Sequence, residues 1–139
     1  MMNTIISLIA AAVTFGTVLM YGTLGEVLTE RSGNLNLGVE GIMFMGGAFG
    51  LGGVFYYEQA VGEANSSAAV ALLIALASAF AAGAIASLIF SFLTITLRAN
   101  QNVTGLALTI FGTGVGQFTG EYMRVHQGGY VAPLLWVSR

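Results

Sequence analysis

Gly25–Gly41 reads GEVLTERSGNLNLGVEG. It sets Glu26, Glu30, Arg31, Asn34, Asn36 and Glu40 between two long apolar runs. Elsewhere the chain is almost free of charge: four basic and six acidic residues are all that its 139 positions hold. A soluble domain carries roughly 25% Asp, Glu, Lys and Arg, against 7% here, with 56% hydrophobic residues and a mean hydropathy of +0.85. Placing a charged side chain inside a bilayer costs at least ~2.5 kcal/mol. A polar cluster between apolar runs therefore marks a break between membrane helices, and a site worth reading for function.

Four uncharged stretches surround and follow this cluster: Met1–Gly25, Gly41–Tyr57, Ala64–Leu97 and Ala99–Gly120. Crossing the hydrocarbon core takes about 20 mostly apolar residues, with a range of roughly 17–25. The pattern predicts an all-α, polytopic transmembrane helical bundle. It forms a single domain over residues 1–139, with about four spans and polar breaks between helices 1 and 2 and between helices 3 and 4. The first helix is expected over Thr4–Leu24. The second covers Gly41–Tyr57, where tyrosines mark an interface. The third, Ala68–Leu97, would be about 45 Å long at 1.5 Å per residue, so it must tilt, protrude or break, with Gly83 as the candidate break. The fourth is expected over Asn102–Gly120, followed by a polar tail with Glu121, Arg124, His126, Gly128, Gly129 and Pro133, and by Trp136 returning to an interface. Glu58–Ser67 is a polar loop whose Ser66 or Ser67 suits a helix cap.

Several function classes fall away. The net charge of −2 gives no basic patch for nucleic acid. No cysteine is present, which removes disulfides and thiolate chemistry. The first apolar run lacks the basic leader of a signal peptide and reads as a retained helix. No catalytic constellation, metal set or cofactor motif emerges: His126 stands alone and is expected in a solvated loop, and Glu30 is expected to be neutralised by its neighbour Arg31. Gly46–Gly53, GGAFGLGG, lacks the lysine and hydroxyl residue of a nucleotide loop and sits inside an apolar run.

Two stripes of small residues recur every four positions, Ala75, Ala79, Gly83, Ser87 and Ser91, and Gly112, Gly116 and Gly120. Each stripe occupies one helical face, where close helix–helix packing is the usual role and pore lining the alternative.

The motifs GEVLTERSGNLNLGVEGIMFMGGAFG and, about fifty residues on, LRANQNVTGLALTIFGTG resemble the permease subunits of bacterial ATP-binding-cassette importers for nucleosides and simple sugars. Ribose-type and branched-chain amino acid permeases belong to the same wider family, and the similarity covers Leu24–Gly114. The resemblance implies a multi-pass protein of the bacterial inner membrane that is not itself an enzyme. Its partners would be an ATP-binding cassette subunit, a second permease subunit and an extracytoplasmic solute-binding protein. It carries a substrate-path role onto Asn34, Asn36 and Glu40 in the first break, and onto Asn100, Gln101 and Thr104 at the second. Such permeases are about twice this length, so the chain is expected to be an N-terminal half, unable to transport alone.

Read from the residues themselves, GNLNLG has two meanings. Asn offers donors and acceptors suited to sugar hydroxyls and base edges; it is also a favoured turn and helix-cap residue. If helix 2 begins before Asn36, then Asn36 and Glu40 share a face that turns into the bundle. Arginine count sets orientation; Arg31 and Arg98 on one side against Arg124 opposite favours an external N-terminus. The competing function is a small helical membrane scaffold without a solute path.

Overall fold

A computed structural model describes residues 2–62 and 65–126, and these are helical almost throughout. The elements are α1 (Met2–Arg31), α2 (Val39–Val61), α3 (Ala68–Ser91), a π-helical turn at Phe92–Thr96 that continues α3, and α4 (Gln101–His126). No strand occurs among the described residues. Glu63 in the loop after α2, and Gly128, Gly129, Pro133 and Trp136 beyond α4, lie outside them. Three helices are long and apolar enough to cross a membrane: Thr4–Arg31, Val39–Val61 and Ala68–Thr96. The fourth is as long, at 26 residues, but its threonines, amides and terminal charges keep it more polar than the others.

α2 is the central element because glycine lines two of its faces. On one face α3 packs antiparallel: a Cβ at Gly46 would lie 3.5 Å from the Ala79 carbonyl oxygen, and one at Gly50 3.2 Å from that of Ala75. On the other, α4 runs parallel to α2. Gly41 packs so tightly on it that a Cβ would stand 2.5 Å from the Leu108 carbonyl oxygen. Gly112 abuts the Gly41 backbone in return, and Gly116 lies under the Phe44 ring. In lipid there is no hydrophobic drive between helices, so backbone approach of this kind supplies the dispersion contact that holds them. The small-residue stripes are therefore packing faces at Ala75, Ala79, Gly112 and Gly116, while nothing approaches Gly120. The few buried apolar side chains, Met45, Phe55, Ala82, Ala86, Phe90 and Leu108, all belong to these contacts on α2, α3 and α4. α1 is exposed along nearly its whole length and touches α2 mainly near Gly22, whose hydrogen faces the Met43 sulfur.

Four expectations need correction. α1 does not stop at Leu24; EVLTER contains no breaker, and the helix runs on to Arg31. It ends where Gly33 turns left-handed at φ 86°, with the Asn34 N–H donating to Thr29 O (3.0 Å) and the Gly33 N–H to Glu30 O (2.9 Å). This is the paired bonding of a glycine-terminated helix. α3 does not break at Gly83, where a Cβ would meet only Ile42 Cγ2 at 3.8 Å; its irregularity comes later, as the π turn. α4 absorbs Glu121 and Arg124, which pair with each other one turn apart, and ends at His126, stacked on Tyr122 with ring centroids 4.0 Å apart. Glu30 and Arg31 form no ion pair, and both are exposed. Ser67 occupies the cap position of α3, but its side chain makes no capping bond.

The tight α2–α4 seam predicts that Gly41→Ala destabilises the protein by about 1–3 kcal/mol, the usual cost of forcing a methyl into a filled interface. Gly114→Ala, where nothing lies within 4 Å, should be neutral. Thermal unfolding of the complete permease in detergent separates the two.

Candidate functional site: a clamp joining the two polar breaks

The two breaks, Ser32–Gly38 and Leu97–Asn100, meet at one end of the bundle. Their meeting follows from helix order: α1 and α3 end there, and α2 and α4 begin there. Arg31 and Arg98 therefore lie at the same end. The second break is built by the π turn. The Leu97 N–H reaches back to Phe92 O (3.1 Å) and the Ala99 N–H to Leu93 O (2.9 Å), and Arg98 closes the turn with a left-handed φ of 52°. A side chain in that conformation costs about 1–2 kcal/mol, and π turns concentrate at functional sites. Asn100 then caps α4: its Oδ1 accepts from the N–H groups of Asn102 (3.0 Å) and Val103 (3.2 Å).

Gln101, the first residue of α4, ties this break to the other. Its Oε1 accepts from the Leu35 N–H (2.9 Å), and its Nε2 donates to Asn34 Oδ1 (3.0 Å). From the opposite side, Glu26 of α1 accepts the Asn36 N–H on Oε1 (3.2 Å), and its Oε2 takes the Thr29 hydroxyl (3.3 Å). Asn36 is buried, and its own Oδ1 accepts from the Gly38 N–H (2.9 Å). This local turn leads into α2. The Leu37 carbonyl accepts from the Thr109 hydroxyl (2.8 Å). Gly105 allows the approach, since a Cβ there would lie 2.8 Å from the Leu37 nitrogen. The N–H groups of Ser32, Gly33, Asn34, Leu35, Asn36, Gly38 and Val39 all find acceptors within the chain. That is the condition for irregular backbone at or near membrane depth.

The six residues expected at the path divide accordingly. Asn34, Asn36 and Gln101 are joined in the clamp, Asn100 caps α4, and Thr104 is buried one turn into α4 with its N–H on Asn100 O (2.9 Å). Helix α2 begins at Val39, so Asn36 sits in the turn before it and does not share a helical face with Glu40. Glu40 is exposed, with no hydrogen bond or ion pair among the described residues. Sequence reasoning passed over Glu26 as a clamp member and Thr109 altogether. The signal for Glu26 was its position one helical turn before the end of α1; Thr109 had none, since its role depends on the parallel register of α4. Beside the clamp an open cleft of about 540 Å³ runs between α1, α2 and α3, past Tyr21, Gly25, Thr29, Asn36, Met43 and Ser87.

Replacing Gln101 by leucine would strand the Leu35 N–H and the Asn34 oxygen, at about 1–3 kcal/mol. Gln101→Glu keeps the acceptor for Leu35 and should lose less. Equal melting temperatures for wild type and Gln101→Leu in the complete permease would show that the clamp contributes nothing.

Residues 7–131 match the family described as the branched-chain amino acid transport system / permease component. Among curated relatives, the chain is 40% identical over 114 residues to the putative glucose ABC transporter permease protein TsgC13 of Haloferax volcanii, covering 82% of this chain and 31% of that one. It is 35% identical over 111 residues to the guanosine ABC transporter permease protein NupQ of Bacillus subtilis, covering 80% and 33%. To the nucleoside ABC transporter permease protein NupC of Lactococcus lactis it is 28% identical over 116 residues, covering 84% and 35%. The chain thus spans about a third of the length of the curated relatives it matches. No solved structure matches it. With a family match over nearly the whole chain and helices of membrane-spanning length, this multi-pass membrane protein belongs to the branched-chain amino acid transport system permease family.

Proposed function

We propose that the chain is the N-terminal part of the permease subunit of an ATP-binding-cassette importer that carries a nucleoside or a simple sugar across the bacterial inner membrane. ATP hydrolysis is assigned to a separate ATP-binding subunit. A second permease subunit and an extracytoplasmic solute-binding protein complete the assembly. The relatives named for glucose, guanosine and nucleosides support this solute class. Gly46–Gly53 supports placing ATP elsewhere, because it lies wholly within α2, where its N–H groups serve the helix and cannot cradle phosphate. Arg31 and Arg98 at the same end favour a cytoplasmic clamp and an external N-terminus by arginine count.

The observation that carries the reading is the clamp itself, with Glu40 left unbonded at the start of α2. A helix break held rigid by its own side chains, next to a free carboxylate, is the arrangement by which transporters present polar groups to a solute within a bundle. Asn34, Asn36, Gln101 and Thr104 shape the path, and Glu40 and the unbonded amide nitrogen of Asn100 meet the solute. A scaffold without a path has no use for an exposed Glu40 in a membrane helix.

In the complete transporter, Glu40→Ala should lower uptake at least about tenfold, the loss of one charged hydrogen bond, with normal protein levels. Asn36→Ala should lower the amount of folded protein. Uptake by Glu40→Ala at the wild-type rate would overturn the reading.

A further inference from the structure

Two polar side chains on the outer surface of this bundle have no partner among the described residues: Glu40 on α2 and Gln117 on α4, both exposed. Their helices are in register on one side. Gly41 packs on Leu108 and Thr109, and Phe44, one turn after Glu40, lays its ring on Gly116. Gly116 is flanked on its own helix by Thr113 and Gln117. Thr109, Thr113 and Gln117 follow at intervals of four, so they rise along one face of α4, and the Thr113 hydroxyl donates to Thr109 O (2.9 Å) along that face. Both threonine donors are occupied within the protein, which leaves their oxygens to accept. Ala107, Phe111 and Phe118 form a different, apolar face of the same helix, all exposed. α4 is thus two-sided, which is why it falls outside the set of helices apolar enough to span on composition.

We infer that the strip formed by Glu40, Phe44, Thr109, Thr113 and Gln117 is a wet wall of the solute path, and that Phe44 is the platform on which the ring of the solute rests. This rests on the permease reading above and extends it to residues of α4 that the clamp does not use. Hydrocarbon disfavours both an unpaired carboxylate and an unpaired amide, so the strip faces water. The chemistry fits a flat ring bearing hydroxyls. The Phe44 side chain is 47% exposed, open to stack on a nucleobase or on the apolar face of a sugar, as aromatic side chains do with bases. The Gln117 amide donates and accepts, and Glu40 accepts from hydroxyls. Gly116 sets the height of the platform, because a Cβ there would collide with the Phe44 ring.

The described chain has no cysteine of its own, which suits single-cysteine labelling. In the complete permease, with any cysteines of the remaining chain replaced, cysteines at Thr113 and Gln117 should react with a membrane-impermeant, water-soluble thiol reagent on open membranes. Cysteines at Ala107 and Phe111 should not, and the transported nucleoside or sugar should slow the reaction at both strip positions. Phe44→Leu should raise KM for uptake about tenfold, the size of one lost stacking contact. Gln117→Leu, which suits lipid better than the native residue, should keep wild-type protein levels and lose uptake. Unreactive cysteines at 113 and 117, or unchanged uptake by Gln117→Leu, would overturn the wall. If the wild-type transporter imports neither nucleosides nor sugars, the permease reading fails instead, and the labelling pattern still reports whether the strip is wet.

Discussion

The side-chain amide of Gln101 holds Asn34 Oδ1 and the Leu35 N–H at once, and the register of the whole bundle follows from that contact. It fixes the start of α4 against the turn before α2. The parallel run of these two helices then brings Gly41 onto Leu108, Gly112 onto Gly41 and Gly116 under Phe44. Glu26 completes the arrangement by fastening the end of α1 to the same turn. The physical demand behind it is simple. Backbone that leaves the helix near a bilayer has little water to bond, so its N–H groups must find acceptors in the protein. Here a glutamine, a glutamate and an asparagine provide them.

This arrangement separates a rigid part from a loosely held one. α2, α3 and α4 pack through glycine and alanine at van der Waals distance, while α1 is attached chiefly by its last two turns. Low contact density is the physical mark of segments that open easily. The open cleft along α1 lies next to the rigid clamp, so displacement of α1 would change access beside Asn36 while leaving the clamp's bonds to α4 in place.

Much of this was legible in the sequence. Charge scarcity and run length gave the all-helical membrane class, and Gly33 announced the end of a helix. The four-residue stripes announced packing faces, two of which form. The similarity of GNLNLGVEG and RANQNVTG to nucleoside and sugar permeases pointed to the family that the comparisons establish. Other features were out of reach. The extension of α1 through EVLTER depends on helix propensity outweighing charge, because those charges lie at the end of the bundle and remain exposed. The π turn at Phe92–Thr96 replaces a break at Gly83 because Gly83 is needed for contact with Ile42, and no local signal distinguishes the two. The partners of Asn34, Asn36 and Thr109 lie ten to seventy-two residues away, so only the register of folded helices reveals them.

A double-mutant cycle between Asn34 and Gln101 tests the central claim most directly, with unfolding of the complete permease in detergent as the readout. Contacting residues in one hydrogen-bond network couple by about 0.5–3 kcal/mol. The account predicts that Asn34→Ala and Gln101→Ala are each destabilising and that the double variant loses clearly less than their sum. Strict additivity would mean that the two breaks are not joined, and the registry of α2 and α4 described above would have to be abandoned.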